Sequence, residues 1–305
     1  MIDNPYLRQA ELLLRVLPLI DREAVFALKG GTAINFFVMD LPRISVDIDL
    51  TYLPVEDRDL SLKGIGNTLD RIAKDIDAKI PGTKVVAKRI KGSEFVSGLF
   101  VRGQDAGIKI EPNLVIRGSV FPLEQRLISQ KARDLFGISM ECRTLSENEL
   151  YAGKICAALD RQHPRDLFDV YMLFRSGKFN DTMRKAFIVY LISHDRPMVE
   201  LLNPGLSDIM PVFETEFKDM TLENVTCEDL IRTRRELIFQ ISEGFTLEER
   251  QFIVSVKEGL PQWDLLGLNG IEKLPAVKWK LMNIEKMDRL KHKKAVQKLR
   301  DYLQV

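Results

Sequence analysis

Residues 24 to 50 read AVFALKGGTAINFFVMDLPRISVDIDL, and the order of signals in this stretch decides the fold. Ala24 to Leu28 is a short apolar run of strand character, broken by Gly30-Gly31. Thr32 to Met39 reads as a helix that opens straight from the glycines. Ser45 to Leu53 alternates with period two, Val46, Ile48 and Leu50 facing one way and Asp47, Asp49 and Thr51 the other. That is a half-buried strand with acids on its open face. Two carboxylates at i and i+2 of a strand point the same way and repel, and a divalent cation relieves the repulsion. Hard oxygen donors suit Mg²⁺, which takes one or two carboxylates plus substrate phosphates; Mn²⁺ is the alternative ion. The glycine turn at a helix N-terminus offers N–H groups and a favourable dipole to a triphosphate. Taken singly, a DxD is most often a solvated face and Gly-Gly a plain turn. Strand, Gly-Gly, helix, strand, DxD in that order puts both at the same end of a sheet.

Outward from this stretch, residues 5 to 20 read as an amphipathic helix and residues 60 to 79 as a second. Strand-like pieces follow at Thr83 to Ile90 and Glu94 to Val101, joined by the hairpin signal Lys91-Gly92-Ser93. Gly107 to Val115 holds a further strand whose Glu111 is the candidate third acid of a metal site, although Pro112 marks an edge or a strand end. From about Leu145 the pattern is helical. Ser146 to Glu149 is a capping box with Leu145 and Leu150 as its hydrophobic staple. Helices are expected from about Pro164, and at 181–195, 206–218, 227–242 and 246–258. Gly259 to Pro275 reads as a linker or loop, and residues 278 to 303 as one basic terminal helix. The fold class is α+β: a domain over residues 1–144 with a small mixed sheet, then a mainly helical domain over 145–305.

Composition excludes several classes. Of 305 residues, 45% are apolar and 29% charged, as in an ordinary globular chain. Lys plus Arg is 45 against 44 for Asp plus Glu, but the near-balance hides an asymmetry. Residues 273 to 305 carry ten basic and three acidic side chains, and the body before them is mildly acidic. Cys142, Cys156 and Cys227 are an odd number at irregular spacing, which gives no disulfide framework and fits a reducing cytoplasm. The N-terminal segment is not a signal peptide, and no apolar run approaches a membrane span.

A second block carries charge at helical spacing. Lys154 and Arg161 lie seven apart on one helix and share a face, able to present two cations to phosphates. Asp166 and Asp169 share a face of the next helix; near a helix start they also stabilise its dipole, and for Asp169 that structural role is favoured. His163 beside Pro164 reads as a helix cap, and Phe36-Phe37 as core. Lys278, Lys280, Lys286, Arg289 and the run Lys291 to Lys294 make a cationic helix suited to RNA phosphates.

Gly30-Gly31-Thr32, Pro42-Arg43-Ile44-Ser45 and Asp47-Ile48-Asp49-Leu50, with the later Glu149-Leu150, Ala152-Gly153-Lys154, Arg161 and Arg165 to Tyr171, resemble the DNA polymerase β-like nucleotidyltransferase superfamily. The match is nearest its AbiEii/AbiGii toxin branch, which includes the MenT toxins, and covers roughly residues 25 to 175. The resemblance implies a polymerase β-like catalytic domain, with the helical domain contributing a Lys/Asp motif to the active site. It implies an Mg²⁺-dependent transfer of NMP from an NTP to RNA, with the tRNA 3′ end as acceptor, arresting growth in a type IV-like toxin-antitoxin system, with phage defence as its setting. Asp47, Asp49 and Glu111 would hold metal. Gly30, Gly31, Thr32, Ser45, Lys154 and Arg161 would bind the nucleotide, and Asp47, Asp49, Lys154 and Asp166 would be catalytic. A co-encoded antitoxin need not touch the toxin. Rival readings are nucleotidylation of a protein or small molecule, and a nucleotide-binding protein without turnover.

Overall fold

The apolar run before the glycines is β1 (Phe26–Lys29), with Phe26, Ala27 and Leu28 buried. A computed structural model describes residues 4 to 305. The remaining strands are β2 (Asp47–Tyr52), β3 (Lys84–Arg89), β4 (Val96–Arg102), β5 (Gly107–Asn113), β6 (Glu124–Leu127) and β7 (Glu141–Thr144). They form one mixed sheet in the order β3-β4-β5-β2-β1-β7-β6. β2 runs antiparallel to β1, with Lys29 opposite Asp49, and parallel to β5, with Asp49 opposite Glu111. The sheet is larger than the sequence reading expects, because β6 and β7 are four residues each, EQRL and ECRT, with too few apolar side chains to stand out.

Pro112 falls where its missing N–H costs nothing. Pairing of β5 with β4 ends at Ile110, so from Pro112 onward the strand is bonded only to β2. The open face of β2 is shorter than expected, since Thr51 is fully buried and only Asp47 and Asp49 reach solvent.

Among the helices beside this sheet, α1 (Pro5–Asp21) starts with Asn4 accepting from the Tyr6 N–H at 2.9 Å and buries Ala10, Leu13, Leu14 and Leu17. α2 (Gly30–Ala33) springs directly from β1 and continues as a π-helical turn over Ile34–Val38, in which Phe36 and Phe37 are buried as core. α3 (Arg58–Lys79) packs on β4 with Ile65, Leu69, Ile72 and Ile76 buried. α4 (Gln130–Phe136) and α5 (Glu147–Arg161) follow. The chain divides into two compact units inside α5. The first holds the residues through Leu150 plus Glu216–Asn224; the second holds Tyr151–Thr215 and Val225–Val305.

The second unit is helical throughout: α6 (Pro164–Ser176), α7 (Asp181–Ser193), α8 (Met198–Leu202), α9 (Met210–Glu216, whose last residue lies in the first unit), α10 (Cys227–Gly244), α11 (Leu247–Glu258), α12 (Pro275–Glu285) and α13 (Arg289–Leu303). α7 is buried from Ala186 through Ser193, the mark of a helix enclosed by others. α11 and α12 pack on it, and α13 packs on α8 and α11. Capping boxes at Thr226/Asp229 and Thr246/Glu249 start α10 and α11.

The structure also corrects the reading of the C-terminal segment. The terminal basic helix is two helices, broken before Asp288, whose side chain caps α13 by accepting from the Leu290 and Lys291 N–H groups. Of the two readings of residues 259 to 275, linker or loop, the structure shows the loop. Short 3₁₀ turns at Trp263–Leu265 and Ile271–Lys273 fold that segment back, and Leu266 and Ile271 are buried, so the glycines serve turns rather than slack. All three cysteines are buried and none is in a disulfide among the described residues. Among the described residues no helix is long and apolar enough to cross a membrane.

Candidate active site

Gly30 stands in the left-handed region, φ +71°, where a Cβ is strained. A Cβ there would also overlap the Asp49 carboxylate, so the oxygen of Asp49 rests against the Gly30 α-carbon. A Cβ on Gly31 would lie 2.6 Å from an Arg43 guanidinium nitrogen and 3.0 Å from Ser45 Oγ. The two glycines therefore let the side chains entering β2 close against the first turn of α2. Gly30→Ala is expected to leave the protein folded but to lower activity by about 10²-fold, since displacing a reacting group by an ångström costs that much. Turnover beside thermal melting checks this; a fully active Gly30→Ala would show that the contact is incidental.

Thr32 and Ser45 lie just behind this corner. Thr32 is fully buried; its hydroxyl donates to the Asp47 carbonyl oxygen at 2.6 Å and sits 3.0 Å from Ser45 Oγ. The Asn35 side chain donates to the Gly31 carbonyl at 2.9 Å. These bonds fix where β2 begins relative to the glycines, and so where both aspartates stand.

Arg43 is a functional candidate that sequence reasoning missed. Its side chain is 2% exposed, and Nη1 donates to the Ile44 carbonyl at 3.0 Å. A buried guanidinium is costly unless its bonding is satisfied, which makes this a built position for positive charge beside Gly31. The backbone around it is clamped by residues far along the chain. The Ile44 N–H donates to the Met220 carbonyl and the Leu222 N–H to the Pro42 carbonyl, both at 2.8 Å, and Arg43 and Thr221 form an antiparallel bridge. The signal was present: Arg43 is the one cation between Lys29 and Arg58.

The acids occupy three positions on two neighbouring strands. Asp47 and Asp49 share one side of β2, both half-buried, and Glu111 stands in register opposite Asp49 on β5. The Glu111 carboxylate accepts from Lys88 Nζ at 2.8 Å. Lys88 is on β3, two strands out from β5, and is in register with Gly98 of the intervening β4, which has no side chain to block the reach. Among the described residues no three Asp, Glu, His or Cys side chains lie close enough together to hold a metal by themselves. The donor set nonetheless fits Mg²⁺, because two carboxylates suffice when substrate phosphates and water complete the octahedron.

The second unit carries its own buried charge cluster. Lys154 of α5 is 7% exposed and pairs with Asp166 at 2.7 Å and Asp169 at 3.0 Å, both 1% exposed. Arg161, mostly exposed, reaches Asp166 through Nε at 2.5 Å. Burial, the largest single influence, pushes the Asp166 carboxyl up, but Lys154 and Arg161 outweigh it and hold it well below the usual carboxylate range. The structure thus brings together the four charged residues singled out in this block, Asp169 included. His163 caps α6, its Nδ1 accepting from the Arg165 N–H at 3.1 Å. Upstream, Ser146 Oγ accepts from the Glu149 N–H at 3.3 Å, while the Glu149 carboxylate holds the Val120 and Phe121 N–H groups at 3.0 and 3.3 Å.

The family model for the nucleotidyl transferase AbiEii toxin of type IV toxin-antitoxin systems matches residues 11–281. The chain belongs to this family. The toxin is accordingly a nucleotidyltransferase. In fold it is similar to MenT4, a nucleotidyltransferase toxin from Mycobacterium tuberculosis H37Rv, at a TM-score of 0.60 and 15% identity, over 97% of this chain and 93% of that one. No curated protein matches the sequence.

Proposed function

We propose that the toxin transfers a nucleoside monophosphate from an NTP to RNA, most favourably to the 3′ end of tRNA, in an Mg²⁺-dependent reaction. The observation that carries this reading is the pair Asp47 and Asp49 on one side of β2, with Asp49 seated against Gly30 at the opening of α2. Asp47 and Asp49 would hold the ion, which when bound neutralises phosphate charge and makes the acceptor hydroxyl more acidic. The first turn of α2 orients the triphosphate through backbone N–H groups and the helix dipole, and Arg43 adds a fixed positive charge behind it. The acceptor oxygen forms a bond to the α-phosphorus as the bond to pyrophosphate breaks, and Asp49 takes the hydroxyl proton. Glu111, engaged by Lys88, supports the electrostatics from the neighbouring strand. Within the second unit Lys154 and Arg161 are the cations proposed for phosphate, and Asp166 pairs with both. Growth arrest follows if tRNA ends are blocked, and the antitoxin acts without having to contact the toxin.

Incubating the toxin with each α-³²P-labelled NTP, Mg²⁺ and total bacterial RNA tests the reading. Label is expected in a tRNA-sized band, absent after chelation of the metal. Label confined to protein would overturn the RNA acceptor, and no label with any nucleotide would overturn the reaction itself. In the same assay Glu111→Gln is expected to reduce labelling by less than about tenfold, because its carboxylate is turned to Lys88 and the exposed pair contributes little. A reduction as deep as that of Asp49 variants would instead make Glu111 a metal ligand.

A further inference from the structure

The second unit contains a cleft of about 220 Å³ enclosed by α8, the end of α11, the α12–α13 turn and α13. Its floor is apolar, made chiefly by Met198, Met287, Ala295 and Leu299. Its rim carries Lys257, Lys291 and Lys298 against a single carboxylate, Glu200. Among the described residues none of these three lysines is ion-paired, and the Lys257 ammonium instead approaches Met287 Sδ at 3.5 Å. Lys257 is half-buried, and its pKa is lowered by burial and then by the charge of Lys291. Holding two ammonium groups together in a partly desolvated place opposes folding and leaves an unmet demand for negative charge.

We propose that this cleft anchors one unstacked nucleotide of the RNA acceptor, the base lying on the Met198–Met287 floor and the flanking phosphates on Lys257, Lys291 and Lys298. Three arguments select this occupant. The volume is below the roughly 300–1,000 Å³ of sites that enclose a whole small molecule, so one ring system enters and the charged remainder stays outside. Thioethers are polarisable and adapt to the flat face of an aromatic ring. Lys291 and Lys298 stand two turns apart on α13, about 10 Å along its axis, and their flexible stems reach phosphates on either side of one inserted base. Splayed bases stacked on side chains, with cations on the backbone, are how proteins read single-stranded ends and loops. The assignment rests on the reading that the acceptor is RNA.

Fluorescence anisotropy of labelled tRNA, titrated with full-length toxin over a series of KCl concentrations, tests it. Lys291→Gln/Lys298→Gln is expected to weaken binding roughly tenfold and to lower the slope of log affinity against log salt by about two, one for each phosphate no longer neutralised. Ala295→Phe, which fills the cleft without removing charge, is expected to weaken binding several-fold with the slope unchanged. Should that variant misfold, Met287→Ala removes part of the apolar floor without changing charge and is expected to weaken tRNA binding several-fold, the salt slope again unchanged. Wild-type affinity and slope in the lysine double variant would overturn the proposal, as would wild-type toxin that fails to bind tRNA. The two readings fail separately. RNA labelling by wild type with unchanged binding in the lysine variants would leave the acceptor reading standing and remove the cleft. Protein labelling alone, with tRNA binding that still maps to Lys291 and Lys298, would remove the acceptor reading and leave the cleft as an RNA-binding site without its proposed role in acceptor anchoring.

Discussion

Asp49→Asn is expected to reduce nucleotidyl transfer by at least about 10³-fold, equivalent to about 4 kcal/mol of transition-state stabilisation, with little effect on the fold. The amide keeps the shape that rests against Gly30 but removes the charge that holds a cation and the base that accepts the hydroxyl proton. The fold is spared because β2 is anchored by other groups: Ile48 and Leu50 in the core, and the Thr32 hydroxyl on the Asp47 carbonyl. Single-turnover labelling and urea denaturation run side by side measure the two effects. Activity within tenfold of wild type would remove Asp49 from the catalytic machinery. A fall in stability comparable to the fall in activity would recast it as a structural residue.

Lys154→Met is expected to cost about 3–5 kcal/mol of stability, the usual penalty for stripping one partner from a buried ion pair. It removes the cation shared by Asp166 and Asp169, both 1% exposed. Asp166→Asn should cost less, because Lys154 keeps Asp169 and the freed Arg161 is mostly exposed to water. Removing both charges together, as Lys154→Met/Asp166→Leu, should recover part of the stability, and the double-mutant cycle gives the coupling. The cluster also sets an acid dependence. Asp166 is held below its unfolded value of about 3.9, so its stabilisation is fully present above that pH and is lost as pH falls below it toward the folded value. Asp166→Asn should therefore flatten the fall in stability on the acid side and leave the neutral range parallel to wild type. An unaltered acid limb would mean that Asp166 is not the titrating group. The same variants separate structure from chemistry: with a purely structural Lys154, activity would fall only in proportion to unfolded protein.

Much of the first unit was legible because its signals are local. The period-two alternation of β2 follows from strand geometry, and Gly30-Gly31 announces a turn because only glycine tolerates φ +71° there at no cost. Helices with long apolar stripes, such as α1 and α3, were readable for the same reason. Strands β6 and β7 were not, since four-residue strands are made by pairing and carry little pattern of their own. Nor was the break at Asp288. Good helix formers lie on both sides of it, and Asp288 caps a new helix as α12 packs on α7 and α13 on α8.

The amino-acid sequence alone determined an α+β fold with two acids at i and i+2 of a strand beside a glycine corner, because spacing along one strand fixes which side chains share a face; that the chain is a nucleotidyltransferase follows from the family its motifs match. Tertiary structure decided what those side chains meet. It set Asp49 against the Gly30 α-carbon, committed Glu111 to Lys88 across Gly98, and enclosed Lys154 between two aspartates. It also brought Met220 to Leu222 back to clamp the backbone at Arg43, far earlier in the chain. Such contacts depend on register between strands and on segments distant in sequence, whose pairing is a property of the packed chain and is written in no single stretch of it.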